Sequence, residues 1–180
     1  MKYVKLFEQF LEEGVNDPGI LKAFFMAGGP GSGKSYVAGE LFSLPKDSSA
    51  SVSYDLGLKL VNSDAAFELL LKKANIDMAQ LMDIKEKDPV AWQDAMQIRD
   101  KAKKITKGTQ KMYIEGRLGM VIDGTGKNYK KIEGQVKELR ELGYDCYMVF
   151  VNTSKEVALD RNNSRARKLP EDMVSQMWQE

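Results

Sequence analysis

The chain has 180 residues, enough for one compact domain with a substantial core. Its 27 basic and 26 acidic residues nearly balance, so no overall field favours a nucleic acid or a membrane surface. The sequence has no histidine, which excludes an imidazole base, and its single cysteine excludes an internal disulfide. General-base chemistry would therefore fall to a carboxylate or, less often, to lysine or tyrosine. No apolar run is long enough to span a bilayer or act as a signal peptide, and we expect a cytoplasmic protein.

Strands and helices alternate along the predicted chain. Residues 1–19 form an N-terminal amphipathic helical arm that ends in a turn, and residues 20–180 form the main domain. Apolar runs predict strands over 20–27, 58–61, 118–122 and 146–151. Helical spacing and caps predict helices over 35–42, 65–73, 89–116 and 130–142, with another opened by a capping box at Thr153 and Glu156. This alternation predicts an α/β fold with a mainly parallel sheet of four or five strands and helices on both faces.

A glycine-rich segment joins the first predicted strand to the first predicted helix and matches the pattern G-x-x-x-x-G-K-[ST]. Glycines let backbone N–H groups surround phosphate oxygens without an obstructing Cβ, and the helix adds the positive end of its dipole. Lys34 would reach the β- and γ-phosphates, and Ser35 would ligate Mg²⁺. The predicted triphosphate site consists of Gly28, Gly29, Pro30, Gly31, Ser32, Gly33, Lys34 and Ser35. We call these eight residues the phosphate loop.

Two aspartates follow predicted strands, at the edge where ligands bind in open α/β sheets. Asp123 ends the third strand and would hold Mg²⁺; the alternative is that Asp123-Gly124 only forms a turn. Asp64 ends the second strand and would accept the proton of an acceptor hydroxyl. The competing interpretation is that Asp64 is the N-cap of the helix that follows.

Three arginines lie in and after the helix that follows the fourth strand. Arg161 and Arg165 are four residues apart and share a helix face if the helix extends that far, and Arg167 follows them. Guanidinium groups would neutralise charge on a transferred phosphate, whereas the alternative is a solvated basic face. Several lysines also lie on the long middle helix. A solvated helix face is the favoured interpretation of these lysines, and contact with a phosphorylated or nucleic-acid acceptor is the alternative.

These segments together resemble the zeta-toxin and polynucleotide-kinase group of P-loop kinases. The resemblance rests on the phosphate loop, on residues 61–64 and 121–125, and on the three arginines. It implies a three-layer P-loop NTPase fold that uses ATP and Mg²⁺. It also implies that Asp64 is the general base, and that Arg161 and Arg165 contact phosphates from a lid at about residues 156–170.

The chain departs from that family pattern in two places. Family members often have an arginine shortly after the base aspartate, where this chain has Ala65, Ala66 and Phe67. The family fold also has a further strand after the lid, so either the sheet has four strands or this chain is a C-terminally shortened version.

Three functions are compatible with these features. The leading hypothesis is a kinase that transfers the ATP γ-phosphate to a hydroxyl of a small molecule such as a nucleotide sugar, of a nucleoside or nucleotide, or of a nucleic-acid end. The second is a nucleotide-dependent switch or ATPase, because residues 123–126 match D-x-x-G, although no N-K-x-D motif is present. The third is a nucleotide-binding module without catalysis that docks on a protein partner through the N-terminal arm.

Overall fold

The computed structural model describes residues 17–44, 52–53, 55–164 and 168–179. The predicted N-terminal arm lies outside these residues, apart from the turn at 17–19. Arg165 and Arg167, two of the three arginines predicted to contact phosphates, also lie outside them.

In the described part of the chain, four strands form one sheet. They are β1 (Lys22–Ala27), β2 (Lys59–Val61), β3 (Met120–Asp123) and β4 (Asp145–Phe150). All the pairings are parallel, and the strand order is β2-β3-β1-β4. The phosphate loop therefore leaves the sheet between the carboxyl ends of β3 and β4.

Helices follow each strand. They are α1 (Lys34–Phe42), α2 (Ser63–Lys73), α3 (Leu81–Lys87), α4 (Pro89–Glu115), α5 (Tyr129–Glu141), α6 (Lys155–Asn163) and α7 (Glu171–Gln179), with a 3₁₀ turn at Met78–Gln80. The sequence did not predict α3 or α7. None of the helices in the described ranges is long and apolar enough to cross a membrane.

The two faces of the sheet bury separate apolar clusters because successive strand side chains point in opposite directions. On one face Phe25 packs in a cluster with Leu139 of α5, and the C-terminal end of α4 covers the same side. On the other face Met26 and Val121 pack with Phe42 of α1. The predicted three-layer α/β fold with helices on both faces is confirmed.

A third apolar cluster lies among the helices α2, α3 and α4. It is built on Phe67 and Leu71 from α2, Leu81 from α3, and Ala95 and Ala102 from α4. With 27 residues, α4 is about 40 Å long. Its C-terminal end packs on the sheet, and its N-terminal half packs on α2. The cluster therefore fixes α4 beside the helix that carries Asp64.

The N-terminal caps of α4 and α6 can be compared with those predicted from the sequence. Asp88 caps α4 as predicted, because its Oδ1 accepts hydrogen bonds from the backbone N–H groups of Val90 and Ala91. The predicted capping box at Thr153 is wrong, since Ser154 caps α6 by accepting from the Val157 N–H. The Thr153 carbonyl instead accepts a hydrogen bond from the Trp178 indole of α7, which holds Thr153 outside the helix.

Candidate functional site

The phosphate loop is held between the end of β4 and α6 by close backbone contacts. Gly31 has a φ of 78°, and a Cβ built there would lie 2.3 Å from the carbonyl oxygen of Ala158 in α6. A Cβ on Gly28 would lie 2.5 Å from the carbonyl oxygen of Val151. A side chain at either position would collide with backbone, so glycine is required for the loop to reach this position.

Two cationic side chains lie against the phosphate loop. The Lys34 ammonium donates hydrogen bonds to the carbonyls of Gly28 and Gly29, at 2.6 and 3.2 Å. The Arg161 guanidinium, in the last turn of α6, donates from Nη1 to the carbonyls of Gly31 and Ser32, at 3.3 and 3.1 Å. The Lys34 ammonium therefore contacts the start of the loop and the Arg161 guanidinium its middle, and both positive charges are in a position to meet a polyanion.

Asp123 ends β3 directly beside the phosphate loop. Its Oδ2 accepts a hydrogen bond from Asn62 Nδ2 at 3.0 Å, whereas its Oδ1 is buried without a hydrogen-bond partner in the described ranges. Burial raises the pKa of the Asp123 carboxyl, the nearby Lys34 ammonium lowers it and the nearby Asp64 carboxylate raises it. Lys34 and Asp64 therefore both lie within electrostatic range of this carboxyl.

This arrangement is compatible with a bound Mg²⁺ ion. The unpaired Oδ1 of Asp123 is a hard oxygen ligand, and Ser35 in the first turn of α1 has an exposed hydroxyl. Among the residues that the structure describes, no cluster of three or more Asp, Glu, His or Cys side chains could hold a metal. Mg²⁺ in nucleotide sites usually needs only one or two carboxylates, since phosphates and water complete its shell.

Asn62 connects the ends of two strands. Its Oδ1 accepts from the Asp64 N–H at 2.7 Å, which makes Asn62 the N-cap of α2, while its Nδ2 donates to Asp123. Asp64 is therefore not the cap, and its carboxylate stays available in the first turn of α2 with 58% of the side chain exposed. Asparagine is a preferred N-cap residue, so its position in the sequence could have indicated this role.

Arg99 reaches Asp64 from α4. Its Nη2 lies 3.8 Å from Asp64 Oδ1, and its guanidinium lies 5.0 Å from the centroid of the Phe67 ring. No sequence signal pointed to Arg99, because it is 35 positions from Asp64 along the chain. We call Asn62, Asp64, Arg99 and Asp123 the carboxylate corner.

The lysines of the long helix lie away from this arrangement. Lys103 pairs with Asp100 and Lys111 with Glu115 on the surface of α4. The remaining lysines of that helix are exposed as well: Lys101, Lys104 and Lys107. Of the predicted site residues, the described part of the chain thus brings together the phosphate loop, Asp64, Asp123 and Arg161.

The sequence model of a family described as an AAA domain matches residues 24–180. This chain belongs to the AAA domain family. No curated protein matches it in sequence. The family match covers the phosphate loop and every described element from β2 to α7, so the AAA domain contains the whole candidate site.

Two solved structures share the fold of this AAA domain at 13% sequence identity. One is from the PezAT chromosomal toxin–antitoxin system of Streptococcus pneumoniae; its TM-score is 0.55 and the match covers 87% of this chain and 58% of that chain. The other is AvrRxo1-ORF1:AvrRxo1-ORF2 with sulphate ions; its TM-score is 0.59 and the coverages are 94% and 53%. This chain therefore spans little more than half the length of either. The resemblance to the zeta-toxin-like group of P-loop kinases is confirmed at the level of the fold.

Proposed function

We propose that this AAA domain is an ATP-dependent kinase that transfers the γ-phosphate to a hydroxyl group of an acceptor. The observation that carries the proposal is that the Asp64 carboxylate does not cap α2. It is released from capping by Asn62, whose side chain also donates to Asp123, at the same sheet edge as the phosphate loop. A second, exposed carboxylate beside the phosphate loop supplies a general base for an attacking hydroxyl, and transfer to an acceptor distinguishes a kinase from a hydrolase that uses the same base on water.

The roles in the proposed reaction follow from the chemistry of each group. The N–H groups of the phosphate loop and the Lys34 ammonium would bind the phosphates. Asp64 would accept the proton of the acceptor hydroxyl while that oxygen attacks the γ-phosphorus in line. Ser35 and Asp123 would hold Mg²⁺, which when bound neutralises charge on the β- and γ-phosphates.

Arg161 would add a second cation to the phosphate side of the site. Its guanidinium already contacts the carbonyls of Gly31 and Ser32, so it lies beside the loop that would bind the phosphates, and its donors match phosphate oxygens. An arginine here would stabilise the charge on the transferred group without contacting the acceptor. The proposed base and the proposed phosphate-binding cations therefore lie on different elements, α2 for Asp64 and α6 for Arg161.

Phosphoryl transfer from labelled ATP tests the proposal. The protein is incubated with Mg²⁺ and a panel of acceptors that contains nucleosides, nucleotides, nucleotide sugars and oligonucleotides with free ends. We expect Asp64→Asn to lower transfer by roughly 10²- to 10⁴-fold, the usual contribution of a positioned general base. ATP affinity should stay close to that of the wild type, because Asp64 is outside the phosphate loop.

Asp94→Asn is the matched control, since Asp94 is an exposed aspartate on α4 with the same change in charge. It should leave transfer unchanged. Wild-type transfer that persists undiminished in Asp64→Asn would remove Asp64 from the base role. Hydrolysis of ATP to phosphate with no labelled acceptor in any reaction would instead support an ATPase.

A further inference from the structure

Arg99 occupies an unusual position for a charged residue on α4. Ala95, four residues before it, and Ala102, three residues after it, are both completely buried in the cluster between α2 and α4. Arg99 therefore lies on the face of α4 that packs against α2, while the lysines of the same helix lie on its exposed surface. Only 34% of its side chain is exposed.

Two residues of α2 hold the guanidinium in place. Phe67, whose ring is almost fully buried, faces it at 5.0 Å, and Asp64, one helical turn earlier, lies 3.8 Å from Nη2. Arginine stacks well on an aromatic face, and the contact limits the orientations of its planar group. The guanidinium is therefore preoriented beside the Asp64 carboxylate.

The hydrogen-bonding capacity of this guanidinium is largely unused. A separation of 3.8 Å from Asp64 exceeds hydrogen-bond length, and no hydrogen bond from Arg99 is made to any residue in the described ranges. An ion pair with an exposed carboxylate contributes little to stability. None of the Arg99 nitrogens is both buried and unpartnered among the described residues, so its donors are open to solvent and to a ligand.

We propose that Arg99 recognises a phosphate group on the acceptor. The inference rests on the proposed kinase function and specifies its substrate class. The acceptor hydroxyl would lie against Asp64 and a phosphate of the same molecule against Arg99, where the planar fork of donors matches phosphate oxygens. α4 supplies this cation from a part of the sequence distant from Asp64.

Equilibrium binding tests this assignment without requiring catalysis. The protein is first saturated with Mg²⁺ and a non-hydrolysable ATP analogue, so that the phosphate loop is filled. Cytidine is then compared with cytidine 5′-monophosphate, and a dinucleotide is compared with the same dinucleotide carrying a terminal phosphate. For the wild type we expect the phosphorylated member of at least one pair to bind about 10- to 100-fold more tightly, as for charge-assisted hydrogen bonds. The pair that responds distinguishes a free nucleotide from a nucleic-acid end.

Three variants identify the residue responsible. In Arg99→Met, the binding affinities of the two compounds of the responding pair should differ by no more than about three-fold. Arg99→Lys should keep part of the preference, because lysine retains the positive charge but lacks the planar set of donors of a guanidinium. Lys104→Met removes a charge from the exposed surface of the same helix and should leave the preference unchanged. Thermal melting of each variant checks that it is folded.

Equal affinities within both pairs for the wild type, no binding of either phosphorylated compound, or a preference that survives Arg99→Met would overturn the assignment. A phosphate preference that depends on Arg99 in a protein that transfers no phosphate to any acceptor would support the assignment and contradict the kinase proposal.

Discussion

The phosphate loop and the carboxylate corner lie at the same edge of the sheet but are built in different ways. The phosphate loop is eight consecutive residues whose main contacts are made by backbone atoms and by the side chains of Lys34 and Arg161. The carboxylate corner takes its four residues from the end of β2, from α2, from α4 and from β3, and side chains make nearly all of its contacts.

This difference determines how each region should respond to mutation. A loop defined by backbone conformation is sensitive to the addition of a single Cβ, because the carbonyls around it cannot move without moving β4 or α6. The carboxylate corner is defined by side-chain contacts, so it should lose its function when one of the contacting side chains is removed, even if the backbone keeps its conformation. Substitutions in each region, compared with matched control positions, can distinguish the two kinds of sensitivity.

The largest effect on stability is expected from Gly31→Ala in the phosphate loop. The new Cβ would lie 2.3 Å from the Ala158 carbonyl at a φ of 78°, so the loop or α6 must shift. We expect a loss of about 2–4 kcal/mol in the free energy of unfolding, measured by urea denaturation, together with weaker ATP binding.

Gly134→Ala in α5 is the control, because the residue is helical and a Cβ added to it would meet no atom of the described residues within 4 Å beyond its own helix backbone. It should stabilise the protein by about 0.5–1 kcal/mol. Wild-type stability and ATP affinity in Gly31→Ala would show that the loop is not constrained by α6.

The second prediction concerns Asn62 in the carboxylate corner. Asn62→Ala removes both the cap of α2 and the hydrogen bond to Asp123, and we expect a loss of about 2–3 kcal/mol in unfolding free energy. Nucleotide affinity should become less sensitive to Mg²⁺, because the Asp123 carboxylate is no longer held in one orientation. Denaturation and titration of ATP with and without Mg²⁺ measure the two effects.

Asn128 provides the comparison for Asn62, since its side chain caps α5 by accepting from the Lys131 N–H. Asn128→Ala should cost only about 1 kcal/mol, the usual loss for an N-cap, and leave Mg²⁺ dependence intact. Equal effects of the two substitutions on unfolding free energy and on Mg²⁺ dependence would show that Asn62 acts only as a helix cap.

The smallest effect is expected at Tyr144, which lies in the core away from both regions. Its hydroxyl donates to the Leu118 carbonyl at 3.1 Å, so Tyr144→Phe should cost about 1 kcal/mol without changing ATP affinity. Burial raises the pKa of the Tyr144 hydroxyl, so the unfolded chain loses this proton at a lower pH than the folded protein does. Wild-type stability should therefore fall as pH rises past about 10, the ordinary tyrosine pKa, and this part of the fall should be absent in Tyr144→Phe.

Helix caps and apolar periodicity predicted most of the helices and strands, with boundaries within a few residues of those in the structure. The Asp88-Pro89 start of α4 was correct because the cap and its N–H partners are adjacent in sequence. The α6 start was one residue off because Trp178, from another helix, takes the Thr153 carbonyl. The segment 74–88 could not be assigned, since α3 is short and depends on packing in the cluster with α2 and α4.

The amino-acid sequence was sufficient to predict the phosphate loop, the α/β alternation and the need for a base other than histidine. These features depend on backbone conformation, periodicity and composition, which are local or global properties of the chain. The folded chain was needed to show that Asn62 caps α2, that Arg99 faces Asp64 and that Arg161 contacts the phosphate loop. Each of the last two contacts joins residues far apart in sequence, and only the packing of α4 on α2 and of α6 on the loop brings them within reach.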